Sequence, residues 1–307
     1  MSMENRETQP RLSVVIASWS GKEALTRCLE SVIPQAGAAE LIVAFRGVYD
    51  LATSVGNLFP NVHFVRGPED ASVFLLRALG VHQAHGRLIA MLEDHSVTCA
   101  GWAEAILNAH SIGKKICGGP IENDTNSGAY DWALYFSEYG IYMPPMPSGE
   151  TPILSGVNIA YDRETLLSCR RIWESVFYET DVNAELVKAG HQLYLLPKAC
   201  VTSRLRMPLR AAIEHLFLGG IHFGDFRTAQ SGPFGRRLWL IAAPAVPLVL
   251  LFRIVRLTVT RRSARVLQIV RALPYLLLLL GAWSAGEATS YARGVAAHRL
   301  SERAAQE

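Results

Sequence analysis

Short apolar runs alternate with helical patterns along the first third of the chain. Four runs have the length and β-branched content of buried strands, namely SVVIAS, ELIVAF, VHFV and RLIAML. Between the first two, Leu25, Cys28 and Val32 share one face of an amphipathic helix. The helix before the fourth run ends at Gly86. This alternation predicts an α/β domain with a mostly parallel sheet.

The middle of the chain continues the pattern with one interruption. The pattern predicts a helix in GWAEAILNAH, a strand in KKICGGPI, a strand and then a helix in ILSGVNIAYDRETLL, a helix in YETDVNAELVKAG and a strand in HQLYLLPKACVTSR. The interruption runs from Glu122 to Thr151, is rich in Tyr, Trp, Met and Pro, and is predicted to be a loop. Such aromatic segments often shape binding clefts, although packing is an equally common reason for them.

The composition changes after Arg237. Leu238 to Phe252 and Ala272 to Gly286 are uncharged runs of fifteen residues, and both contain proline. A membrane-spanning helix needs roughly 20 apolar residues. Eight arginines and no acidic residue lie between positions 236 and 271, namely Arg236, Arg237, Arg253, Arg256, Arg261, Arg262, Arg265 and Arg271.

Three interpretations fit this segment. It could be a hairpin that spans the membrane, a pair of helices in the interface with arginines on anionic head groups, or a buried helical pair in a soluble protein. The connecting segment is itself basic, which does not favour a simple hairpin because loops on both sides would then be positive.

Composition narrows the class of protein. The net charge of +3 is too small to imply nucleic acid as a partner, and none is predicted. The five cysteines are scattered, and no CxxC occurs, so a disulfide framework or a zinc site is not expected and a reducing compartment fits. The polar start MSMENRETQPRL lacks the apolar core of a signal peptide, so we expect the N-terminal part to stay in the cytoplasm.

Polar side chains follow two of the predicted strands. Ser18 and Trp19 follow the first, and Glu93, Asp94 and His95 follow the fourth. Ligands bind beyond the carboxyl ends of parallel strands. Two carboxylates and an imidazole are suitable ligands for a divalent cation that bridges phosphates. The alternative is that the triplet caps a helix or faces water.

A second acidic group lies in YETDVNAEL, close to a predicted helix N-terminus. First-turn acids stabilise the helix dipole, which explains Asp181. A carboxylate such as Glu179 at a strand–helix junction could instead act as the general base for an acceptor hydroxyl.

The order and spacing of these segments resemble family 2 glycosyltransferases, which are inverting enzymes. SVVIASWS, CLESVIPQ and LLRALGVHQAHG are similar to the family's SVVIPTYN, LxSLLxQ and ARNxGxxxAxG motifs. LIAMLEDHSVTCAGW, GVNIAYDRETL and YETDVNAELVKAG are similar to IxFLDxDxxxxPGW, GxNxAxRRxxL and EDxxLxxRLxxxG. The resemblance covers roughly residues 11–205. It implies the GT-A nucleotide-diphospho-sugar transferase fold, with a Rossmann-like, mostly parallel sheet, followed here by C-terminal apolar helices.

The resemblance also implies roles for single residues. The family's Asp-x-Asp motif falls on residues 93–95, which places Glu93 near the donor sugar or ribose and a divalent metal, Mn²⁺ or Mg²⁺, on Asp94 and His95. The imidazole favours manganese. The family's base aligns with Glu179, and Asp181 is the second candidate. The metal would neutralise the leaving nucleoside diphosphate while the base activates the acceptor, and a single displacement inverts the anomeric carbon.

The implied donor site departs from the family pattern at several positions. Its residues are Ala17, Ser18, Trp19, Phe45, Arg77, Glu93 and Asp94. Phe45 aligns with an Asp that contacts the base, so the base, uracil or guanine, stays open. Ala17 replaces a proline, and Ala78 replaces the Asn of ARN. Arg77 is retained and could face the diphosphate, or it could be an exposed helix arginine.

The resemblance also predicts an acceptor region and a division of the chain into segments. The resemblance places Gly156 and Asn158 in the acceptor region, and His215 and His222 could lie where the acceptor meets the membrane. The alternative for the two histidines is a solvated or head-group-facing helix. The predicted division is residues 1–10 as a flexible N-terminus, 11–205 as the GT-A domain, 206–235 as an amphipathic connector, 236–293 as membrane-associated helices and 294–307 as a polar tail.

The expected function is an inverting glycosyltransferase at the cytoplasmic face of the cell membrane. Its expected partners are a nucleotide-diphospho-sugar donor, a lipid-linked or polysaccharide acceptor, and membrane lipids. A different class stays open, namely an inactive nucleotide-sugar-binding or scaffold protein. A nucleotidyltransferase is disfavoured because ASWSGKEAL is not a Gly-rich phosphate loop.

Overall fold

The computed structural model of the chain covers three ranges, residues 11–47, 51–124 and 126–293, without the side chains of residues 230–234. The predicted flexible N-terminus (1–10) and polar tail (294–307) lie outside the described residues. The chain divides into two units, and each has parts from two regions of the sequence. One comprises Met1–Asp124 and Tyr142–Leu205, and the other comprises Thr125–Ile141 and Arg206–Glu307.

Strands and helices alternate in the first unit. Its strands are β1 Leu12–Ser18, β2 Glu40–Arg46, β3 Val62–Gly67, β4 Leu88–Glu93, β5 Ser96–Thr98, β6 Ile116–Gly118, β7 Ile121–Asn123, β8 Gly149–Glu150, β9 Asn158–Asp162, β10 Leu193–Leu195 and β11 Val201–Ser203. Its helices are α1 Lys22–Ala36, α2 Leu51–Gly56, α3 Val73–His82, α4 Trp102–Ser111, α6 Arg163–Ser168, α7 Arg170–Trp173 and α8 Glu179–Lys188. The helix α5, Ala129–Tyr139, belongs to the other unit.

The main sheet has the strand order β3-β2-β1-β4-β9-β6-β10-β8. β1 to β4 pair in parallel, β9 is antiparallel to both of its neighbours, and β10 is parallel to β6. A small second sheet has the order β5-β11-β7. The predicted α/β class with a Rossmann-like sheet is confirmed.

The centre of the main sheet is formed by β1 and β4, whose residues are all buried. Strands covered on both faces read as continuous apolar runs, which is why these two strands are recognisable in the sequence. α3 packs directly on β1, and an added Cβ at Gly80 would overlap the side chain of Val15. The glycine therefore lets α3 lie close to the sheet.

The loop predicted between Glu122 and Thr151 is wrong in its centre. The segment contains the helix α5, Ala129–Tyr139, followed by a 3₁₀ turn at Gly140–Tyr142. Four of its five aromatic side chains are buried and pack ring against ring, with Trp132 and Phe136 centroids 5.3 Å apart. The aromatic composition therefore reflects packing of a helix in the second unit.

The second unit is helical. In addition to α5 it contains α9 Leu209–Ala242, α10 Val246–Arg262 and α11 Val266–Arg293, joined by 3₁₀ turns at Ala243–Ala245 and Ser263–Arg265. Within the described residues, Gly235–Arg293 is the one helical stretch that is long and apolar enough to cross a membrane. Only 11% of its most apolar 18-residue window is buried, which argues against a buried helical pair.

α9 and α11 meet through small residues and one polar cluster. An added Cβ at Gly220 would overlap the backbone of Trp283, and one at Gly286 would overlap the backbone of Phe217. Next to this contact the buried Glu287 accepts hydrogen bonds from Arg227 at 2.9 Å, Tyr291 at 2.6 Å and Trp283 at 2.6 Å. The carboxylate is thus fully engaged inside an apolar helix pair.

Candidate active site

The carboxyl ends of β1 and β4 lie side by side. Ala17 pairs with Glu93 in the parallel ladder, and Ser18 pairs with Phe45 of β2 on the other side. The backbone N–H of Asp94 donates to the carbonyl of Ala17 at 3.1 Å, which continues the pairing past the last strand residue. The two sequence segments predicted to share a site are therefore adjacent.

Asp94 holds the segment that follows β1. Its Oδ2 accepts hydrogen bonds from the Ser18 hydroxyl at 2.9 Å and from the N–H groups of Trp19 and Ser20 at 2.8 and 2.7 Å. Its Oδ1 accepts from the Ser20 hydroxyl at 2.7 Å. Burial raises the pKa of Asp94, although the bonds from Ser20 and Ser18 favour the ionised form and oppose the shift.

Glu93 lies between an indole and a guanidinium. Its Oε2 accepts a hydrogen bond from Trp19 Nε1 at 3.0 Å, and its Oε1 pairs with Arg77 Nη2 at 2.5 Å. Burial would raise the pKa of Glu93, but the Arg77 charge, His95 and these hydrogen bonds outweigh it and hold the pKa below its ordinary value. Glu93 is therefore an ionised carboxylate inside the protein.

Arg77 is the centre of the group. The side chain is 4% exposed, so the alternative of an exposed helix arginine is wrong. While Nη2 pairs with Glu93, Nη1 donates to Glu179 Oε2 at 2.8 Å. The guanidinium also lies against Gly156, where an added Cβ would come within 2.6 Å of Nη1. Arg77 thus joins β4, α8 and the segment before β9.

Packing at the start of α3 brings Glu179 to this arginine. The Phe74 ring lies 4.2 Å from that of Tyr178, the residue before α8, and Phe177 N–H donates to the Phe74 carbonyl at 3.0 Å. Glu179 and Asp181 are both in the first turn of α8. Glu179 is 22% exposed, compared with 5% for Glu93, so it is the carboxylate of the Arg77 pair that reaches solvent.

Comparison with known proteins assigns the family. Residues 13–168, about half of the chain, match the family described as Glycosyl transferase family 2. The chain belongs to this glycosyltransferase family. The resemblance to the family is confirmed. The matched residues include β1, α3, β4 and β9 and five of the six similar motifs, whereas YETDVNAELVKAG lies beyond them. No curated protein matches the chain.

Two solved structures show the same fold. The mannosyltransferase PcManGT from Pyrobaculum calidifontis, in complex with GDP-Man and Mn²⁺, has a TM-score of 0.57 and 15% identity, over 93% of this chain and 88% of that one. GalNAc-T7 with UDP, GalNAc and Mn²⁺ has a TM-score of 0.50 and 16% identity over 74% of this chain. This glycosyltransferase spans about half, 52%, of that second chain. The expected GT-A fold is confirmed.

The donor set does not fit the predicted metal as the structure arranges it. Both Asp94 oxygens accept protein hydrogen bonds, and both Glu93 oxygens are engaged by Trp19 and Arg77. His95 is completely buried, with Nδ1 3.6 Å from Glu93 and 3.9 Å from Asp94. Among the described residues, no group of three or more His, Cys, Asp or Glu side chains could hold a metal ion.

Two further predicted residues of this glycosyltransferase are buried neighbours of the cluster, since Phe45 pairs with Ser18 and Asn158 pairs with Leu92 in the main sheet. The Phe45 ring is 3% exposed and packs edge-on against Phe64. Asn158 is buried, with its carbonyl bonded to Trp102 Nε1 at 2.9 Å and its amide to the Ala199 carbonyl at 2.7 Å. Both residues support the fold around the strand ends.

The two predicted acceptor histidines lie on α9, in the second unit. His215 Nε2 lies 3.4 Å from Glu138 of α5, so this histidine takes part in helix packing within that unit. His222 is two turns further along α9. Their predicted role at the acceptor stays a prediction.

Sequence reasoning did not include Ser20 in the site. Its N–H and hydroxyl both donate to Asp94, so it contributes as much to this contact as Ser18. The signal was a hydroxyl residue directly before Gly21, whose φ of 97° marks a sharp turn into α1. A turn of this kind brings consecutive donors toward one acceptor.

Proposed function

We propose that this family 2 glycosyltransferase moves a sugar from a nucleotide-diphospho-sugar to a hydroxyl of a lipid-linked or polysaccharide acceptor, with inversion. The observation that carries the proposal is the chain of contacts from Trp19 through Glu93 and Arg77 to Glu179. It joins a residue after β1 to the first turn of α8 at the strand ends where ligands of such sheets bind.

Each member of this chain of contacts has a part in the proposed reaction. Glu93 and Trp19 orient the donor beyond β1 and β4, and Arg77 supplies a fixed positive charge toward the diphosphate. Glu179 takes the proton from the acceptor hydroxyl, since it is the pair's solvent-reaching carboxylate. Attack from the face opposite the leaving group inverts the anomeric centre. Asp181, in the same first turn, is the second candidate base.

The divalent cation stays a prediction in this proposal. The similar structures that were solved with Mn²⁺ support it, whereas the hydrogen bonds that engage Asp94 and the burial of His95 oppose it. A bound Mn²⁺ or Mg²⁺ would supply positive charge to the leaving diphosphate. The proposed roles of Glu93, Arg77 and Glu179 do not depend on this cation.

The proposed location is the cytoplasmic face of the cell membrane. The apolar stretch Gly235–Arg293, with little of its most apolar window buried, supports association with lipid.

The experiment is a donor screen with purified full-length protein, reading release of UDP or GDP with a lipid extract as acceptor. We expect release from one donor class and an inverted anomer in the product by NMR. Glu179→Gln should lower transfer by roughly 10³-fold with donor affinity retained. Glu185→Gln, on the same helix and paired with Arg171 at the surface, is the matched control and should keep full activity.

A second candidate is a nucleotide-sugar-binding protein without transferase activity. The observations that favour it are the burial of Phe45 and the closed hydrogen bonding of Asp94. This alternative predicts donor binding by calorimetry with no release of nucleoside diphosphate from any donor.

The same assay tests which carboxylate is the base of the transferase. Loss of transfer in Asp181→Asn but not in Glu179→Gln would assign the base to Asp181.

A further inference from the structure

We propose that α10 and the first half of α11 lie in the plane of an anionic membrane surface and do not cross the bilayer. The inference deepens the proposed membrane location and is independent of the transfer reaction. It identifies the partner by its chemistry, a bilayer surface rich in acidic lipid.

One face of α10 is apolar and unpartnered. Leu248, Phe252 and Val259 are 51–67% exposed and, at spacings of four and seven residues, share one side of the helix. Arg253 and Arg256 are also exposed and lie beside this stripe. An apolar stripe bordered by arginines is the arrangement of a helix that lies between head groups and acyl chains.

The same arrangement is unfavourable for a spanning helix. α10 has 17 residues, which is about 25 Å at 1.5 Å per residue, whereas the hydrocarbon core is about 30 Å thick. If α10 itself crossed the bilayer, its two exposed arginines, which are near the middle of the helix, would lie at the bilayer centre. Charges there are strongly unfavourable.

α11 repeats the pattern at its start. Leu267, Val270 and Leu278 are exposed, and Arg271 lies on the same side of the helix. In an in-plane orientation the long arginine side chain can extend to the phosphates while its stem stays among acyl chains. The uncharged run after it, Ala272 to Gly286, has fifteen residues, about 22 Å, so a crossing by this helix would have to include Arg271 or Glu287.

Packing against α5 excludes a fully lipid-embedded position for this region. Tyr275 of α11 meets Tyr130 with ring centroids 5.6 Å apart, and Arg265 lies 5.0 Å above Trp132. The neighbouring α5 residue Asp131 pairs with Arg206 at 3.3 Å. A bilayer core around these contacts would also have to hold that ion pair, and removing its two charges from water is strongly unfavourable.

Charge identifies the partner. Residues 226–286 contain nine arginines and no aspartate or glutamate. A second copy of the same surface would bring like charges together, whereas an acidic leaflet is complementary. The surface therefore fits an anionic bilayer better than a homodimer.

The first test is binding of full-length protein to sucrose-loaded vesicles. We expect at least tenfold stronger partitioning into phosphatidylcholine vesicles with 30% phosphatidylglycerol than into pure phosphatidylcholine, with the difference reduced at high salt. Arg253→Gln with Arg256→Gln should weaken binding about twentyfold. Arg170→Gln with Arg171→Gln, an equal charge change at exposed sites of the first unit, should leave it unchanged.

The second test separates in-plane from spanning helices. Ala264→Cys places a thiol at an exposed position between α10 and α11. On intact vesicles with protein added from outside, an impermeant maleimide should label this thiol fully. Labelling only after detergent would mean that the helices span and would overturn the proposal. Equal binding to neutral and acidic vesicles, or dimerisation without vesicle binding, would also overturn it.

Discussion

Arg77 and Glu179 are 102 residues apart in the chain, and the Arg77 Nη1 donates to Glu179 Oε2 at 2.8 Å. Because Nη2 of the same guanidinium pairs with Glu93, one side chain sets the distance between the proposed base and the donor carboxylate. A planar guanidinium with two fixed partners orients both, which a flexible ammonium cannot do. The position of Glu179 is therefore coupled to β4 through Arg77.

Replacing the guanidinium should leave Glu93 buried and without its main counter-charge. We expect Arg77→Gln to lower the free energy of unfolding by about 3 kcal/mol, because unpaired buried charges are strongly destabilising. The measurement is urea denaturation followed by tryptophan fluorescence. The double variant with Glu93→Gln should recover much of the loss, and a double variant that is additive in stability would contradict the pairing.

The contact between Arg77 and Gly156 gives a more selective test. An alanine at 156 would place its Cβ 2.6 Å from Nη1, so the guanidinium must leave its position between the two carboxylates. We expect Gly156→Ala to lower transfer by roughly 10²-fold, since small displacements in a catalytic group have effects of this size. Gly56→Ala, where the added Cβ meets Phe64 at an ordinary 3.5 Å, is the control. Equal activity of both variants would remove Arg77 from the site.

The ends of β1 and β4 could be predicted because each of these buried strands is a continuous apolar run in the sequence. The Arg77 contacts could not, because they depend on two partners, 16 and 102 residues away, that no local pattern connects. α3 is buried on several sides, so its periodicity did not reveal which way Arg77 points. The sequence alone therefore could not decide whether Arg77 binds the donor diphosphate or is exposed on the surface of a helix.

The missed helix α5 has a different cause. Its aromatic residues at 132, 135, 136 and 139 follow the spacing of one helical face, and all four are buried. The content of Tyr, Trp, Met and Pro between Glu122 and Thr151 suggested an irregular segment. Weighting the spacing above the composition would have found the helix.

Asp94 should be important for stability with or without metal. Its carboxylate accepts four hydrogen bonds from Ser18, Trp19 and Ser20. In Asp94→Asn the side-chain NH₂ would replace one of the accepting oxygens and would face a hydrogen-bond donor. We expect this variant to lose about 2–3 kcal/mol of unfolding free energy, the range for bonds to a buried charged group. The loss should be the same in EDTA and in Mn²⁺. If Mn²⁺ raised the unfolding free energy of the wild-type protein but not that of Asp94→Asn, Asp94 would be a metal ligand after all.

Glu40, the first residue of β2, should make stability depend on pH at the amino ends of the parallel strands. Burial would raise its pKa, but the His85 N–H at 2.8 Å, the Ser13 hydroxyl at 2.5 Å and the His85 ring hold the pKa below its ordinary value of 4.5. A lowered folded pKa stabilises the protein above pH 4.5, and this contribution is lost as pH falls through the folded value. Glu40→Gln should therefore lower the unfolding free energy at pH 7 by about 0.5–1 kcal/mol, since the carboxylate is partly exposed. The difference from wild type should shrink as pH falls below 4.5 and through the lowered folded pKa of Glu40, while the exposed Glu30→Gln on α1 serves as the charge control. A difference that is constant from pH 7 to pH 3 would show that Glu40 acts through packing and not through its charge.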